Sequence, residues 1–97
     1  MKYKVVEVTV ANHAITVDPD PVPISKNAKH EVVWVGNVDF AVSFKPPECP
    51  FDKANFPSSG RAAVSGEAKV PSRTQPYKYT ITSPGATPLD PGVRVDQ

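Results

Sequence analysis

Residues 77–82 alternate without a break: Tyr77, Tyr79 and Ile81 are apolar, and Lys78, Thr80 and Thr82 between them are polar. Successive side chains of a strand point to opposite faces, so this period of two describes a strand with one face buried and the other wet. A proline- and glycine-rich turn follows, and then Val93 and Val95 flank Arg94 in a second short strand. Proline punctuates the rest of the chain in the same way. Twelve prolines stand against five glycines in 97 residues, where average proline usage is about 5%. Each proline fixes φ and removes a backbone donor, which excludes long helices and suits short strands joined by rigid turns.

From the N-terminus, residues Lys2 to Val10 form the first expected strand, with Val6, Val8 and Val10 on one face and Tyr3, Val5, Glu7 and Thr9 on the other. Ala11-Asn12-His13-Ala14 is a turn in which Asn tolerates a left-handed backbone. A brief strand, Ala14 to Val17, ends at Asp18-Pro19-Asp20-Pro21, and Val22 to Ile24 is a short edge strand blunted by Pro23. After the polar turn Ser25 to Lys29, the segment His30 to Val35 is apolar on both faces, the pattern of a central strand covered on both sides. Trp34 is its natural packing centre. Phe40, Val42 and Phe44 then alternate with Ala41 and Ser43.

Regularity stops between Lys45 and Gly60, where Pro46, Pro47, Pro50 and Pro57 break any ladder and residues 51–56 allow one helical turn at most. Loops of this length are often functional. Arg61 to Val64 and Ala68 to Val70 read as two short strands around a turn at Ser65-Gly66-Glu67. Pro71 to Pro76 is a polar connection. Eight or nine short strands and no helix define an all-β fold, an antiparallel Greek-key β-sandwich spanning residues 1–97 as one domain. At this length only about 60–65% of the unfolded surface is buried on folding, and a composition that is 39% hydrophobic can supply such a core.

The C-terminal hairpin resembles the metal-binding end of the cupredoxins, the blue-copper β-sandwich family. There an aromatic-x-aromatic-x-Cys strand leads into a loop carrying Cys-x2-His-x4-Met and a short last strand. With the aromatic pair laid on Tyr77 and Tyr79, the three ligand positions fall on Ile81, Pro84 and Leu89. Upstream, Val32-Val33-Trp34-Val35-Gly36-Asn37-Val38-Asp39 is similar to the strand and turn preceding the family's first His ligand, which falls near Phe40 or Ala41. The resemblance thus implies a cupredoxin-like fold in which every copper-ligand position is substituted. A blue-copper site requires two imidazoles and a thiolate with a weak axial ligand, and the whole chain has one Cys, two His and one Met.

Several function classes are disfavoured by the residues themselves. A net charge of +1 with interspersed signs gives no basic footprint for nucleic acid, and Lys26, Lys29, Lys45 and Lys53 read as solvated turn residues. No apolar run reaches the roughly 18 residues of a membrane span. Met1-Lys2-Tyr3-Lys4 lacks a signal-peptide core, and a single Cys forms no intrachain disulfide, so the expected compartment is the cytoplasm. The five dispersed glycines form neither a phosphate-binding loop nor a nucleophile elbow. No cofactor is implied, and the chain does not read as an enzyme.

The remaining candidate site is the proline-punctuated loop. Phe51 and Phe56 either plug the space left by the absent copper and its ligands, together with Ile81 and Leu89, or form an exposed apolar patch for a protein partner. Cys49 lies in the same loop, with Glu48 opposing any lowering of its thiol pKa. The expected function is that of a copper-free interaction or accessory module using Phe51, Phe56 and Cys49. The alternative is a small metal-binding or electron-transfer protein whose rearranged copper site draws on His13, His30 or Cys49.

Overall fold

The computed structural model describes residues 2–97. Among them are nine strands: β1 (Tyr3–Ala11), β2 (Ala14–Asp18), β3 (Val22–Ser25), β4 (Glu31–Gly36), β5 (Ala41–Phe44), β6 (Asn55–Pro57), β7 (Ala62–Glu67), β8 (Tyr77–Thr82) and β9 (Gly92–Asp96). They form a four-stranded sheet, ordered β2-β1-β4-β7, and a five-stranded sheet, ordered β3-β9-β8-β5-β6. The alternation drives this arrangement. Val6, Val8, Val32 and Trp34 of one sheet and Val42, Tyr79, Ile81, Val93 and Val95 of the other are all buried in one shared core.

Pairing is mixed rather than purely antiparallel. β1 runs parallel to β4, with Val5 opposite Val33, and β3 runs parallel to β9, with Val22 opposite Val93. Parallel neighbours need a long connection, and here it passes through the other sheet. The chain leaves β2 at Asp18, builds β3 in the five-stranded sheet, and returns as β4 beside β1. The β1–β2 turn follows its sequence: Asn12 and His13 both have positive φ, 53° and 64°, the geometry of a two-residue hairpin turn that matches strand twist.

Three segments differ from the sequence reading. The loop from 45 to 60 contains β6, whose Phe56 pairs with Val42 of β5; three residues are too few to show a period. Residues 62–67 form one strand rather than two flanking a turn. Ser65 and Gly66 make a bulge instead, because between the pairs Val33–Val64 and Glu31–Glu67 these two residues of β7 oppose the single Val32 of β4. The ladder is mended locally: Val32 N–H donates to Ser65 Oγ at 2.9 Å. Residues 68–70 form no strand. Finally, β4 is central in its sheet but covered on one face only, since Val35 is 42% exposed.

The core centres on aromatic rings. Trp34 packs against Tyr79 with centroids 5.5 Å apart and against Phe56 at 5.8 Å, while Phe51 meets Phe44 edge-on at 5.6 Å. Trp34 Nε1–H donates to Tyr79 Oη at 3.1 Å, which satisfies both buried polar tips across the sandwich. Burial pushes the Tyr79 pKa upward, so this hydroxyl stays neutral.

Candidate functional site

The positions that the sequence aligned with metal ligands do come together. Val42 pairs with Ile81 and Ala41 with Thr82, Ile81 and Leu89 exchange backbone hydrogen bonds of 2.8 and 3.1 Å, and a cleft of ≈ 440 Å³ is lined by Asp39, Phe40, Ala41, Thr82, Ser83 and Pro84. Gly36 makes this end possible. A Cβ there would lie 2.9 Å from the Val38 carbonyl oxygen and 3.1 Å from the Phe40 ring. The loops are then latched by polar contacts: Ser83 Oγ donates to the Asp39 carbonyl at 2.7 Å, and the Asn37 amide accepts from Val10 N–H and donates to Val10 C=O. The residues themselves do not suit copper. Phe40, Ala41, Ile81, Pro84 and Leu89 offer no imidazole, thiolate or thioether, so no step of copper chemistry can be derived from them.

The other candidate ligands are spread apart. His13 is at this same end, its Nδ1 3.0 Å from the Gly85 carbonyl oxygen. His30 precedes β4 at the other end of the strands, its Nδ1 accepting from Ser25 N–H at 2.9 Å. Cys49 Sγ–H donates to the carbonyls of Phe51 and Lys53, at 3.4 and 3.2 Å. Among the described residues, no three His, Cys, Asp or Glu side chains are grouped to hold a metal ion.

Phe51 and Phe56 are core residues, 5% and 7% exposed. They form no surface patch. Nor do they fill the ligand end: they stack at the Phe44/Tyr79 end of β5 and β8, whereas the ligand positions gather at the Ala41/Thr82 end. The loop around them is tied down. Lys69 N–H donates to the Pro50 carbonyl at 2.7 Å, and the Arg73 guanidinium grips both Glu48 oxygens at 3.2 and 3.3 Å while lying 3.5 Å over the Tyr77 ring. Glu48 therefore serves Arg73, and the partner-binding role expected for Phe51, Phe56 and the Cys49 loop lacks the exposed apolar surface it needs.

That surface lies elsewhere, on the outer face of the four-stranded sheet. Val5, Val33 and Val64 are direct partners across β1, β4 and β7, and Val35 pairs with Ala62 beside them. Cross-strand partners on one face sit about 4.5–5.5 Å apart at Cβ, so the row is contiguous. Val5 is 53% exposed, Val64 50% and Tyr3 48%. Isolated exposed apolar residues are ordinary, but contiguous ones mark interaction surfaces. Burying the open half of Val5 or of Val64 would release roughly 1 kcal/mol for each. The sequence carries the same sign, since His30 to Val35 is apolar on both faces, and among the described residues only one of the two faces is covered.

Other surfaces offer less. A groove of ≈ 720 Å³ runs beside the free edge of β7, between Phe56 and Pro57 on one side and Ala63 to Gly66 on the other. Its edge is interrupted by the Gly66 bulge and by pairing of Ser59 with Ala62, devices that block addition of a further strand. No helix among the described residues is long and apolar enough to cross a membrane. No family model matches the sequence, and no curated protein matches it.

Proposed function

We propose that this chain is a non-enzymatic protein-binding module, a cupredoxin-like sandwich without copper, that engages its partner through the outer face of the four-stranded sheet. The observation that carries this reading is the contiguous row Val5, Val33 and Val64, exposed at both ends and partly buried at Val33 between them. Support for the cupredoxin relationship is the convergence of Phe40, Ala41, Ile81, Pro84 and Leu89 at one end of the sandwich. Support for the absence of copper is the lack of any ligating atom among their side chains.

Two experiments test it. In anaerobic titration with Cu(I) and then Cu(II), followed by absorption and calorimetry, the chain is expected to show no stoichiometric binding. An intense thiolate-to-copper band at one equivalent would instead establish a rearranged site drawing on Cys49 with His13 or His30. Separately, Val5→Lys and Val64→Lys should each leave urea stability within about 0.5 kcal/mol, because both side chains meet solvent. Losses of several kcal/mol would mean that the face is covered in the folded protein and is not a free docking surface.

A further inference from the structure

The charges around the exposed valine row say what its partner must carry. On β1 and β2, Glu7 stands directly opposite Asp18, and on β4 and β7, Glu31 stands directly opposite Glu67. These residues share the outer face with Val5, Val33 and Val35, because each lies an even number of positions from them along its strand or is paired directly to one that does. Like charges at directly opposed positions destabilise a sheet. Two such pairs bracket the row at opposite corners, and among the described residues the cation ion-paired to any of the four is Lys2, whose Nζ is 2.8 Å from a Glu31 carboxylate oxygen. This acidic frame belongs to a chain whose net charge is +1.

Resting on the reading that this face is a docking surface, we infer that it binds a short extended segment of another protein, apolar in the middle and flanked by lysine or arginine. Charge complementarity selects the flanks, since cations beside Glu7, Asp18, Glu31 and Glu67 would relieve both repulsive pairs. Area selects the length. Four strands about 4.8 Å apart, over about five residues of about 3.3 Å each, present on the order of 300 Å², well under the roughly 800 Å² per partner of a standard protein interface. A second copy of this chain is a poor occupant for the same two reasons. It would bring another four carboxylates and one ion-paired lysine to a face too small for a stable dimer. An anionic lipid surface would be repelled by the same frame.

The test uses the full, isotopically labelled chain and two synthetic nine-residue peptides. Both alternate valine and threonine in the middle; one has two lysines at each end, the other two glutamates. The lysine peptide is expected to shift the amide resonances of β1, β4 and β7 and to bind at least about tenfold more tightly than its glutamate twin, with the advantage lost in 0.5 M salt. Glu7→Lys with Glu67→Lys should abolish that preference, and Val64→Lys should weaken both peptides. Equal affinity for the two peptides would overturn the charge inference while leaving the docking face in place. A concentration-dependent dimer in sedimentation, lost in Val64→Lys, would identify the occupant as a second copy. Binding to vesicles of phosphatidylserine and phosphatidylcholine, also lost in Val64→Lys, would identify it as lipid. If neither peptide binds and the chain remains monomeric and vesicle-free, both the inference and the docking face fall.

Discussion

The two outer faces of the sandwich are built on the same core and finished differently. On the five-stranded sheet, polar side chains pair with one another: Thr80 Oγ1 donates to Asp90 at 2.7 Å, Ser43 Oγ to Asn55 at 2.9 Å, and the Arg94 guanidinium to Asp96 at 3.0 Å. On the four-stranded sheet, the corresponding surface is Tyr3, Val5, Val33, Val35, Ala62 and Val64, with carboxylates at its corners. The first face is complete in water. The second leaves apolar area exposed that would gain from burial, and this difference, rather than any cavity, supports the proposed docking face.

The largest test addresses the core that both faces share. Trp34→Ala should cost about 3–5 kcal/mol, because it removes the ring packed on Tyr79, Phe44 and Phe56 and leaves Tyr79 Oη without its donor; denaturant unfolding would measure the loss. A small effect would mean that the two sheets do not depend on one core.

A sharper contrast lies within β4, where Val32 is fully buried and Val35 is 42% exposed. Val32→Ala should cost about 2 kcal/mol and Val35→Ala under about 0.5 kcal/mol in the same urea experiment. Equal costs would break the comparison, since Val35 would then have to be covered in solution. On the polar face, Asp90→Ala removes an acceptor from Thr80 at the surface, and an exposed hydrogen bond of this kind should be worth about 0.5 kcal/mol. A loss above about 2 kcal/mol would show that this face is held by its hydrogen bonds rather than by the core beneath it.

The smallest effect is expected at the connection between the sheets. Burial, reinforced by Lys4, holds the His30 imidazole below its ordinary pKa of 6.5. The unfolded chain then takes up the proton first as pH falls, so this contribution is fully present above about pH 6.5 and is lost as pH drops toward the lower native value. Protonation also removes the Nδ1 acceptor of Ser25 N–H. Stability should therefore decline between pH 7 and 5 by more in the native chain than in His30→Gln. Identical pH profiles would remove His30 from the account.

Legibility followed the length of the pattern. β1 and β8 run for nine and six residues, long enough for alternation to mark both the strand and its buried face; β4, six residues long and apolar on both faces, was legible as a strand and Trp34 as its packing centre, but not its open face. β6 is three residues long and was invisible for that reason. The Ser65-Gly66 bulge reads as a turn in one dimension, because both structures call for glycine at positive φ, here +80°. Phe51 and Phe56 were singled out by their type and by the irregular loop around them, but aromatic residues in an unpaired segment fit a plug and a patch equally well. Arg73 carried no sequence signal. Its partners Glu48 and Tyr77 lie on segments that only the fold brings together.

By itself, the sequence determined the class of fold. Period-two alternation broken by prolines can only be satisfied by short strands with a shared interior. Tertiary structure decided which apolar residues were used for the interior and which were left over. Val33 and Val35 stand beside Val32 and Trp34 in one strand, and nothing local ranks the two faces. The ranking came from the five-stranded sheet, which packs against one side of β4 and leaves the other to solvent, because burial depends on what the rest of the chain brings to a face and not on the face alone.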